Sequence, residues 1–366
     1  MQFAFLFVTA ALQLLVFFVH WLLYESIKIF GGFGSPLLAW VIVLLSMSFL
    51  PASALVHSVN NSFSRWMYRV AATWMGMLVY LFSAVLCTAF LFWISNLFGF
   101  AVPAAFILYT LFFVALLVSF HGMSRATRPV VRGIRVKLPH LRNEWAGEKI
   151  VFLSDTHLGQ IHGTAYARTV ATLIEVEKPV AVLFGGDLFD GVACDTHEYA
   201  AEFAKIKTKF GIFFVSGNHE SYGDETGYFR ALNDAGIRIL KNEIVNLDGL
   251  QIVGIEYATG EDENKYKAAL SKLQIQTDVP SILMKHAPTL IATTEESGVN
   301  LFLAGHTHHG QQYPFSYLTR WVYRGFDYGL KQYKNLTVYT TSGAGTWGPP
   351  IRFMTQSEIV VIEFEK

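Results

Sequence analysis

Apolar residues are distributed unevenly along the chain. The first third contains four long runs that carry no Asp, Glu, Lys or Arg. Each run has about the 20 residues that a helix needs to cross the hydrocarbon core of a bilayer. The breaks between the runs hold Gly, Asn, Ser and Pro, which are typical of turns. The pattern predicts four membrane-spanning helices, at Phe3–Tyr24, Pro36–His57, Val70–Asn96 and Val102–His121.

Beyond the fourth run the pattern changes to short apolar runs that alternate with amphipathic stretches. We expect strands at 149–154, 180–184, 212–216, 281–285, 300–304, 337–341 and 358–364, helices at 164–178, 197–206, 226–235 and 261–273, and a hairpin around Asp248-Gly249. Alternating strands and helices predict an α/β layered domain.

Charge and composition divide the chain at the same place. Residues 1–122 hold only four of the chain's 28 basic and 28 acidic groups. We therefore predict a four-helix transmembrane domain (1–122), a basic juxtamembrane linker with a first strand (123–148) and an α/β domain (149–366). The formal net charge of zero argues against nucleic-acid binding through a broad basic face. Two cysteines cannot form a disulfide framework.

Basic residues beside the spans predict their orientation. Lys28 lies in the first loop, Arg65 and Arg69 lie in the second, and the third loop has no basic residue. Six basic residues follow the fourth span: Arg125, Arg128, Arg132, Arg135, Lys137 and Arg142. The positive-inside rule then places both termini and the α/β domain in the cytoplasm. The cluster is either a stop-transfer flank or a site for anionic headgroups.

Five predicted strands end in residues that can bind metals. The carboxyl ends of strands in an α/β sheet are where ligands bind, and His is not a usual turn former. The residues are Asp155 and His157, Asp187 and Asp190, Asn218 and His219, His286, and His306 and His308. As neighbours on an extended segment, Asn218 and His219 are expected to point in different directions.

The residue types favour a dinuclear centre. Carboxylates and imidazoles without thiolates suit Mn, Fe or Zn, and we take Mn²⁺ as the first choice with Zn²⁺ or Fe as alternatives. One bridging aspartate can hold two ions about 3.5–4 Å apart, the separation used for in-line displacement at phosphorus by an activated hydroxide. Neutral Asn218 adds an oxygen ligand without adding negative charge, which keeps the site cationic toward a phosphate.

The motif order Asp-x-His, Gly-Asp-x-x-Asp, Gly-Asn-His-Glu, His, Gly-His-x-His resembles the calcineurin-like metallophosphoesterase superfamily, over about residues 130–366. The segment Ser342–Arg352 is similar to a bacterial, membrane-anchored branch, in which the last motif usually reads Gly-His-Thr-His-Gly-Gly-Gln. The resemblance implies a double β-sandwich with helices on both outer faces. It also implies a bacterial inner-membrane location. His309 stands where that branch has glycine, and it is a candidate substrate contact.

The resemblance also implies roles for the candidate residues. One metal would be held by Asp155, His157 and His308. The other would be held by Asn218, His286 and His306, and Asp187 would bridge the two. His219 would act beside the metals as a general acid, with Asp190 orienting its ring and raising its pKa. Cys194 is expected to be a bystander, because this set needs no thiol nucleophile.

These observations predict a membrane-anchored dinuclear phosphoesterase that cleaves a phosphodiester or pyrophosphate bond. The segment 313–333 mixes aromatic residues with Arg320, Arg324 and Lys331. This mixture suits a membrane interface, stacking on a base, or a packed lid. With the four spans it favours the lipid bilayer as a partner and a lipid-linked substrate. The resemblance suggests UDP-2,3-diacylglucosamine as one candidate.

Two other classes of function remain open. One is a non-catalytic scaffold, although such relatives have lost residues that are present here. The other is a sensor or transporter in which the metal-binding domain regulates the membrane helices. The absence of buried charges from the spans counts against a transporter.

Overall fold

The computed structural model describes residues 2–59, 61–100, 102–191 and 194–365. The chain forms two compact units that divide near Ser124. The described part of the first unit contains four helices: α1 (Gln2–Ile29), α2 (Pro36–Ser58), α3 (Ser62–Leu97) and α4 (Ala104–Ala126). All four are long and apolar enough to cross a membrane. The prediction of long apolar helices before an α/β domain is confirmed, and the chain is a membrane protein.

Helix α3 is longer than the sequence pattern predicted. It begins at Ser62 instead of Val70, because Asn61 caps it. The Asn61 side chain accepts a hydrogen bond from the Ser64 backbone N–H at 2.8 Å, and Ser64 Oγ accepts one from the Asn61 backbone N–H at 3.2 Å. This reciprocal capping box satisfies donors that a helix end leaves free. Arg65 therefore lies in the first turn of α3 and not in a loop.

The second unit is built from two β-sheets. Its described strands are β1 (Val130–Val136), β2 (Lys149–Leu153), β3 (Ala181–Phe184), β4 (Ile212–Phe214), β5 (Ile237–Ile239), β6 (Glu243–Leu247), β7 (Leu250–Gly254), β8 (Ser281–Met284), β9 (Leu301–Ala304), β10 (Gly329–Tyr333), β11 (Leu336–Thr340) and β12 (Glu358–Phe364). One sheet has the order β1-β12-β2-β3-β4-β5 and the other β10-β11-β9-β8-β7-β6.

The strands that matter for the site run parallel. β2, β3 and β4 are parallel neighbours in the first sheet, and β7, β8 and β9 are parallel neighbours in the second. Parallel strands without alternation of polar residues are typical of sheets covered on both faces. β6 and β7 form the expected antiparallel hairpin around Asp248-Gly249. Carboxyl ends therefore gather at one edge of each sheet.

The two sheets pack face to face with helices outside. Phe152 and Leu183 from the first sheet share a buried cluster with Ile282 and Leu303 from the second. The described helices of this unit are α5 (Thr164–Val176), α6 (Thr196–Phe203), α7 (Asn218–Tyr222), α8 (Glu225–Asp234), α9 (Tyr257–Gly260), α10 (Glu263–Leu273), α11 (Ile291–Glu296) and α12 (Phe315–Val322). Helices α5, α6 and α8 cover one outer face, and α10 covers the other. The double β-sandwich is confirmed.

Four short helices and one strand were not predicted. Asn218–Tyr222 was expected to be extended but forms α7, and α9 and α11 fall in stretches left unassigned. The aromatic segment 313–333 contains α12 and the edge strand β10. All four helices have eight residues or fewer, and such short runs give a weak periodic signal.

Candidate metal centre

The loops after the parallel strands are held together by backbone hydrogen bonds. The Asp155 N–H donates to the Gly186 carbonyl at 3.0 Å, and the His157 N–H donates to the Asp187 carbonyl at 3.1 Å. The loop after β2 therefore continues to pair with the loop after β3 beyond the ends of both strands. This pairing fixes two predicted carboxylates, those of Asp155 and Asp187, beside each other.

Five of the candidate residues have left-handed backbone conformations. Positive φ angles occur at Asp155 (54°), His157 (48°), Asp187 (51°), His306 (70°) and His308 (48°). Non-glycine residues rarely adopt this region, although Asp and His tolerate it better than most. Each such residue costs of order 1–3 kcal/mol, and such strain clusters at functional sites. Here the left-handed conformations occur at residues whose side chains converge.

The first group of donors comprises Asp155, His157 and His308, and all three are buried. Nε2 of His157 lies 3.0 Å from Nε2 of His308. Nε2 of His308 lies 3.5 Å from Oδ1 of Asp155. These are the three residues that the family resemblance assigned to one metal, and their potential ligand atoms lie within 4.8 Å of one another.

The second group contains His286 and His306, whose potential ligand atoms lie within 4.8 Å of one of Asp187. Nε2 of His286 lies 3.2 Å from Oδ2 of Asp187 and 3.1 Å from Nδ1 of His306. Oδ1 of Asn218 lies 3.2 Å from the same His286 nitrogen. Asn218 thus adds a neutral oxygen to the group, as the sequence predicted.

Asp187 lies between the two groups. Its Oδ2 is 3.2 Å from Nε2 of His286 and 3.9 Å from Nε2 of His157. Its other oxygen, Oδ1, accepts a hydrogen bond from the His219 backbone N–H at 2.9 Å. One carboxylate therefore faces donors of both groups, which is the position required of a bridging ligand.

Two glycines allow backbone to approach these carboxylates. A Cβ at Gly217 would lie 2.1 Å from Oδ1 of Asp187, and one at Gly305 would lie 2.2 Å from Oδ2 of Asp155. Both distances are far inside van der Waals contact. The glycines that precede Asn218 and His306 in the sequence motifs are therefore required by close packing at the site.

The donor set fits two divalent cations. Imidazole nitrogens 3.0–3.1 Å apart, next to buried carboxylates, need a proton or a cation between them. Seven nitrogen and oxygen ligands without a thiolate suit Mn, Fe or Zn. The geometry and the ligand chemistry thus support a dinuclear divalent centre held by the predicted residues.

Electrostatics of the metal-free cluster point the same way. Burial opposes ionisation of Asp187, but the neighbouring His286 and His157 hold its pKa well below the usual range. Burial alone would lower the pKa of His286, but Asp187 raises it to about 10. Burial and the charge on His286 lower the pKa of His306 to about 4. Asp187 therefore favours positive charge at His286, as it would favour a bound cation.

The Asp190 carboxylate makes a shorter contact with His157 than with its predicted partner, His219. Oδ1 of Asp190 lies 3.1 Å from Nδ1 of His157 but 3.8 Å from Nδ1 of His219. His219 Nδ1 instead donates to the backbone carbonyl of Asp190 at 3.0 Å. The pKa of His219 is not raised: burial and the nearby His157 lower it. The cause is the loop after β3, which turns the Asp190 carboxylate toward the first metal group.

Sequence reasoning gave no role to Glu220, whose side chain holds the backbone of the site loops. Its buried carboxylate accepts hydrogen bonds from the backbone N–H groups of Asp187, Phe189 and Gly217, at 2.8–3.1 Å. Burial and the charge of Asp187 raise the pKa of Glu220 to about 7. The sequence feature that points to this role is the position of Glu220 three residues after Gly217, which is the N3 position of a capping box.

Arg352 was also missed. Its fully buried guanidinium donates to the backbone carbonyls of His308, Ser342 and Gly345 at 2.5–3.1 Å. A buried cation with these partners holds the loop of one metal ligand against the C-terminal loop. The sequence offers only an Arg near several glycines, which predicts no partner.

Cys194 and His309 are both packed against other residues of the protein. Burial raises the pKa of the Cys194 thiol to about 12, so no thiolate is available there at neutral pH. His309 stacks on Tyr328 with ring centroids 4.2 Å apart. Its ring packs against a neighbour at the edge of the site, and substrate contact by His309 stays a prediction.

Comparison with known proteins agrees with this geometry. Residues 148–310 match the family described as calcineurin-like phosphoesterase. An uncharacterised metallophosphoesterase of Campylobacter jejuni is 32% identical over 241 residues, which cover 65% of this chain and 63% of that protein. YkuE, an uncharacterised metallophosphoesterase of Bacillus subtilis, is 32% identical over 225 residues, which cover 59% of this chain and 78% of YkuE.

A relative from Danio rerio is called a transmembrane protein with metallophosphoesterase domain. It is 29% identical over 268 residues, which cover 68% of this chain and 60% of that protein. The chain therefore spans less than two thirds of the length of the Campylobacter and Danio relatives, but more than two thirds of YkuE. Because YkuE is 32% identical and is covered to 78%, and because residues 148–310 match the family, the chain belongs to the calcineurin-like phosphoesterase family.

Proposed function

We propose that this protein is a membrane-anchored, dinuclear metal-dependent hydrolase of phosphodiester or pyrophosphate bonds, and that its substrate is lipid-linked. The observation that carries the proposal is the position of Asp187 between two groups of metal donors. The first group is Asp155, His157 and His308, and the second is Asn218, His286 and His306. Mn²⁺ is the proposed ion, with Zn²⁺ or Fe as alternatives.

The chain's own residues supply three parts of the reaction. The two groups would hold the ions, which when bound supply Lewis acidity and an activated water. Asn218 leaves the second group less negative than a carboxylate would, which favours approach of a phosphate. The Nδ1–H of His219 donates to the Asp190 carbonyl, so Nε2 would give a proton to the departing oxygen only from the doubly protonated, imidazolium form of the ring.

A lipid-linked substrate is supported by two features. The part of the chain that the structure describes carries four helices that are long and apolar enough to cross a membrane. Aromatic rings also lie beside two histidines of the site: Trp347 lies 6.3 Å from His219 and Tyr323 lies 6.2 Å from His306, between ring centroids. Such a border suits an amphiphile better than a fully polar ester. UDP-2,3-diacylglucosamine is one member of this class.

We further propose that the protein is multi-pass, lies in a bacterial inner membrane and has its catalytic unit in the cytoplasm. The six basic residues after α4 support this orientation. The bilayer and the lipid-linked substrate are the proposed partners, and no nucleic-acid binding is expected.

The test combines metal analysis with a substrate panel. Purified protein should contain two divalent ions per chain. It should hydrolyse phosphodiesters and lipid pyrophosphates, UDP-2,3-diacylglucosamine among them, faster than phosphomonoesters. Two bound ions with no hydrolysis of any ester would favour a regulatory metal-binding domain. A chain that binds no metal would overturn the proposal entirely.

A further inference from the structure

Helix α12 has its polarity reversed relative to a normal surface helix. Its apolar side chains are exposed, with Trp321 at 78% and Leu318 at 55%. Its partly covered residues include Ser316 and Thr319, and the Thr319 hydroxyl lies 3.2 Å from Oδ2 of the buried Asp327. A helix on a water-exposed surface places its apolar stripe toward the core. In α12 the polar stripe faces the domain and the apolar stripe faces outward.

The apolar stripe is continuous. With 3.6 residues per turn, its members fall within an arc of roughly 160°. They are Phe315, Tyr317, Leu318, Trp321 and Val322, and all five are exposed. No residue of α12 is buried. The helix is therefore attached to the domain through its polar side while its apolar side remains uncovered by the described residues.

Other exposed apolar residues adjoin α12 through the backbone. The Tyr313 N–H donates to the Phe353 carbonyl at 3.1 Å, which places exposed Met354 beside the start of the helix. The Gln311 side chain bonds both the N–H and the carbonyl of exposed Trp347, at 2.9 and 3.2 Å. We call the apolar stripe of α12 together with Tyr313, Trp347 and Met354 the α12 surface.

The α12 surface borders the metal centre at Trp347, and Tyr323, the residue that follows α12, borders it at a second point. The Trp347 ring lies 6.3 Å from the ring of His219, and the Tyr323 ring, just after α12, lies 6.2 Å from that of His306. An amphiphile could place its phosphate at the donors and its apolar part along this surface without leaving contact with the protein.

Charge identifies what covers this surface. Arg320, Arg324 and Lys331 are exposed, whereas Asp327, the acidic residue of the segment 313–333, is buried. The exposed charges of the segment are thus all positive, which complements anionic lipid headgroups. Trp and Tyr also favour the boundary between headgroups and acyl chains. A bilayer is in addition a neighbour of this chain, since the same chain carries four candidate spans.

We propose that the α12 surface lies in the headgroup–acyl boundary of the bilayer and presents the metal centre to phosphoesters at the membrane surface. The choice of a membrane-resident substrate rests on the proposed function, whereas contact between α12 and lipid does not. The two can therefore fail separately.

The first experiment measures depth and needs no catalysis. A spin label is attached to Leu318→Cys or, as a control, to Val176→Cys, in full-length protein whose Cys87 and Cys194 are replaced by Ala. Val176 is an equally apolar residue, 70% exposed at the end of α5. In vesicles of equal parts phosphatidylcholine and phosphatidylglycerol, the label at 318 should be accessible to oxygen and protected from a water-soluble nickel complex. The label at 176 should show the opposite pattern.

Two outcomes would overturn the proposal. A label at 318 that is as open to the nickel complex as the label at 176 would show that α12 faces water. Spin–spin broadening at 318 that disappears on dilution with unlabelled protein would show that a second copy covers the helix.

A second experiment measures the consequence for catalysis. The double variant Leu318→Glu, Trp321→Glu should lower kcat/KM for a vesicle-borne ester about tenfold or more relative to kcat/KM for a water-soluble diester, because two apolar side chains leave the interface. Val176→Glu should leave this ratio unchanged. Equal losses on both esters in the α12 variant would contradict a docking role. Absence of all hydrolysis in the unmodified protein would instead end the proposed function and leave the depth measurement standing.

Discussion

Asp190 and His157 form a hydrogen bond: Oδ1 of the carboxylate lies 3.1 Å from Nδ1 of the ring, and both side chains are buried. His157 has its other nitrogen, Nε2, directed at the first metal group. A carboxylate on the far nitrogen of a metal-binding histidine fixes the ring and its tautomer. Asp190 is therefore a positioning residue for a metal ligand, and His219 is held by its backbone carbonyl instead.

The first prediction concerns this contact. Asp190→Asn should lower the affinity for one ion about 10–100-fold, the usual effect of removing such a partner, while the other ion stays bound. The measurement is metal content per chain against a competing chelator. Asp195→Asn, which alters only the exposed cap of α6, is the control. Unchanged metal affinity in Asp190→Asn would restore the alternative, in which the carboxylate serves His219.

The second prediction separates acid catalysis from metal binding. His219→Ala should keep both ions and lower kcat about 10²–10⁴-fold for an alkyl phosphodiester. An aryl ester should be partly spared, because an aryl leaving group departs as a stable anion. The side chains of His219 and Asn218 are expected to point in different directions although their segment is helical and not extended. The two residues are adjacent in α7, where successive side chains point about 100° apart. Loss of metal, or equal losses on both esters, would make His219 a ligand or a charge stabiliser.

The third prediction concerns the bridge. Asp187→Asn should weaken both ions and abolish hydrolysis, because its carboxylate faces donors of both groups. Asp155→Asn is the matched comparison, since Asp155 belongs to the first group and should affect chiefly one ion. Metal analysis of both variants checks the difference. Two ions and full activity in Asp187→Asn would refute a shared ligand.

The fourth prediction links metal uptake to pH. In the metal-free site the pKa of His286 is raised to about 10, so this ring is protonated at pH 7 and must release its proton to bind an ion. Affinity for the second ion should therefore rise about tenfold per pH unit from pH 7 and level off near pH 10. Calorimetric titration of metal in buffers of different ionisation enthalpy would detect the released proton. A pH-independent affinity with no proton release would show that His286 is already neutral.

The fifth prediction tests orientation. The basic residues after α4 motivate a cytoplasmic catalytic unit. A reporter fused after Lys366 should behave as cytoplasmic, and one inserted near Gly99 should behave as external. The reverse pattern would place the catalytic unit outside and would change the candidate substrates accordingly.

The position of the site could be predicted from the sequence, because strand ends in parallel sheets meet. Asp155 and Asp187 follow neighbouring strands, and His286 and His306 follow neighbouring strands of the second sheet. Apolar runs locate the strands, and a polar residue directly after each one must then lie at the shared edge. This reasoning needs no knowledge of loop conformation.

Contacts set by loop conformation could not be predicted in this way. Whether Asp190 meets His157 or His219 depends on a turn only three residues beyond Asp187. The roles of Glu220 and Arg352 depend on backbone groups that the side-chain pattern does not record. The periodicity of α12 predicts an apolar stripe, and such a stripe usually faces the core. In the structure the stripe faces outward.

The pairing of β1 with β12 has a consequence for synthesis of the chain. β1 follows directly after α4, yet its hydrogen-bonded neighbour is the parallel strand β12. The first residue of β12 that pairs with β1 is Glu358. Chain elongation at about 5–20 residues per second separates the two strands by on the order of ten seconds or more. All four apolar helices have by then left the ribosome. Until β12 emerges, the nascent chain therefore carries an unpaired strand edge directly after its apolar helices, and such an edge can pair with other chains.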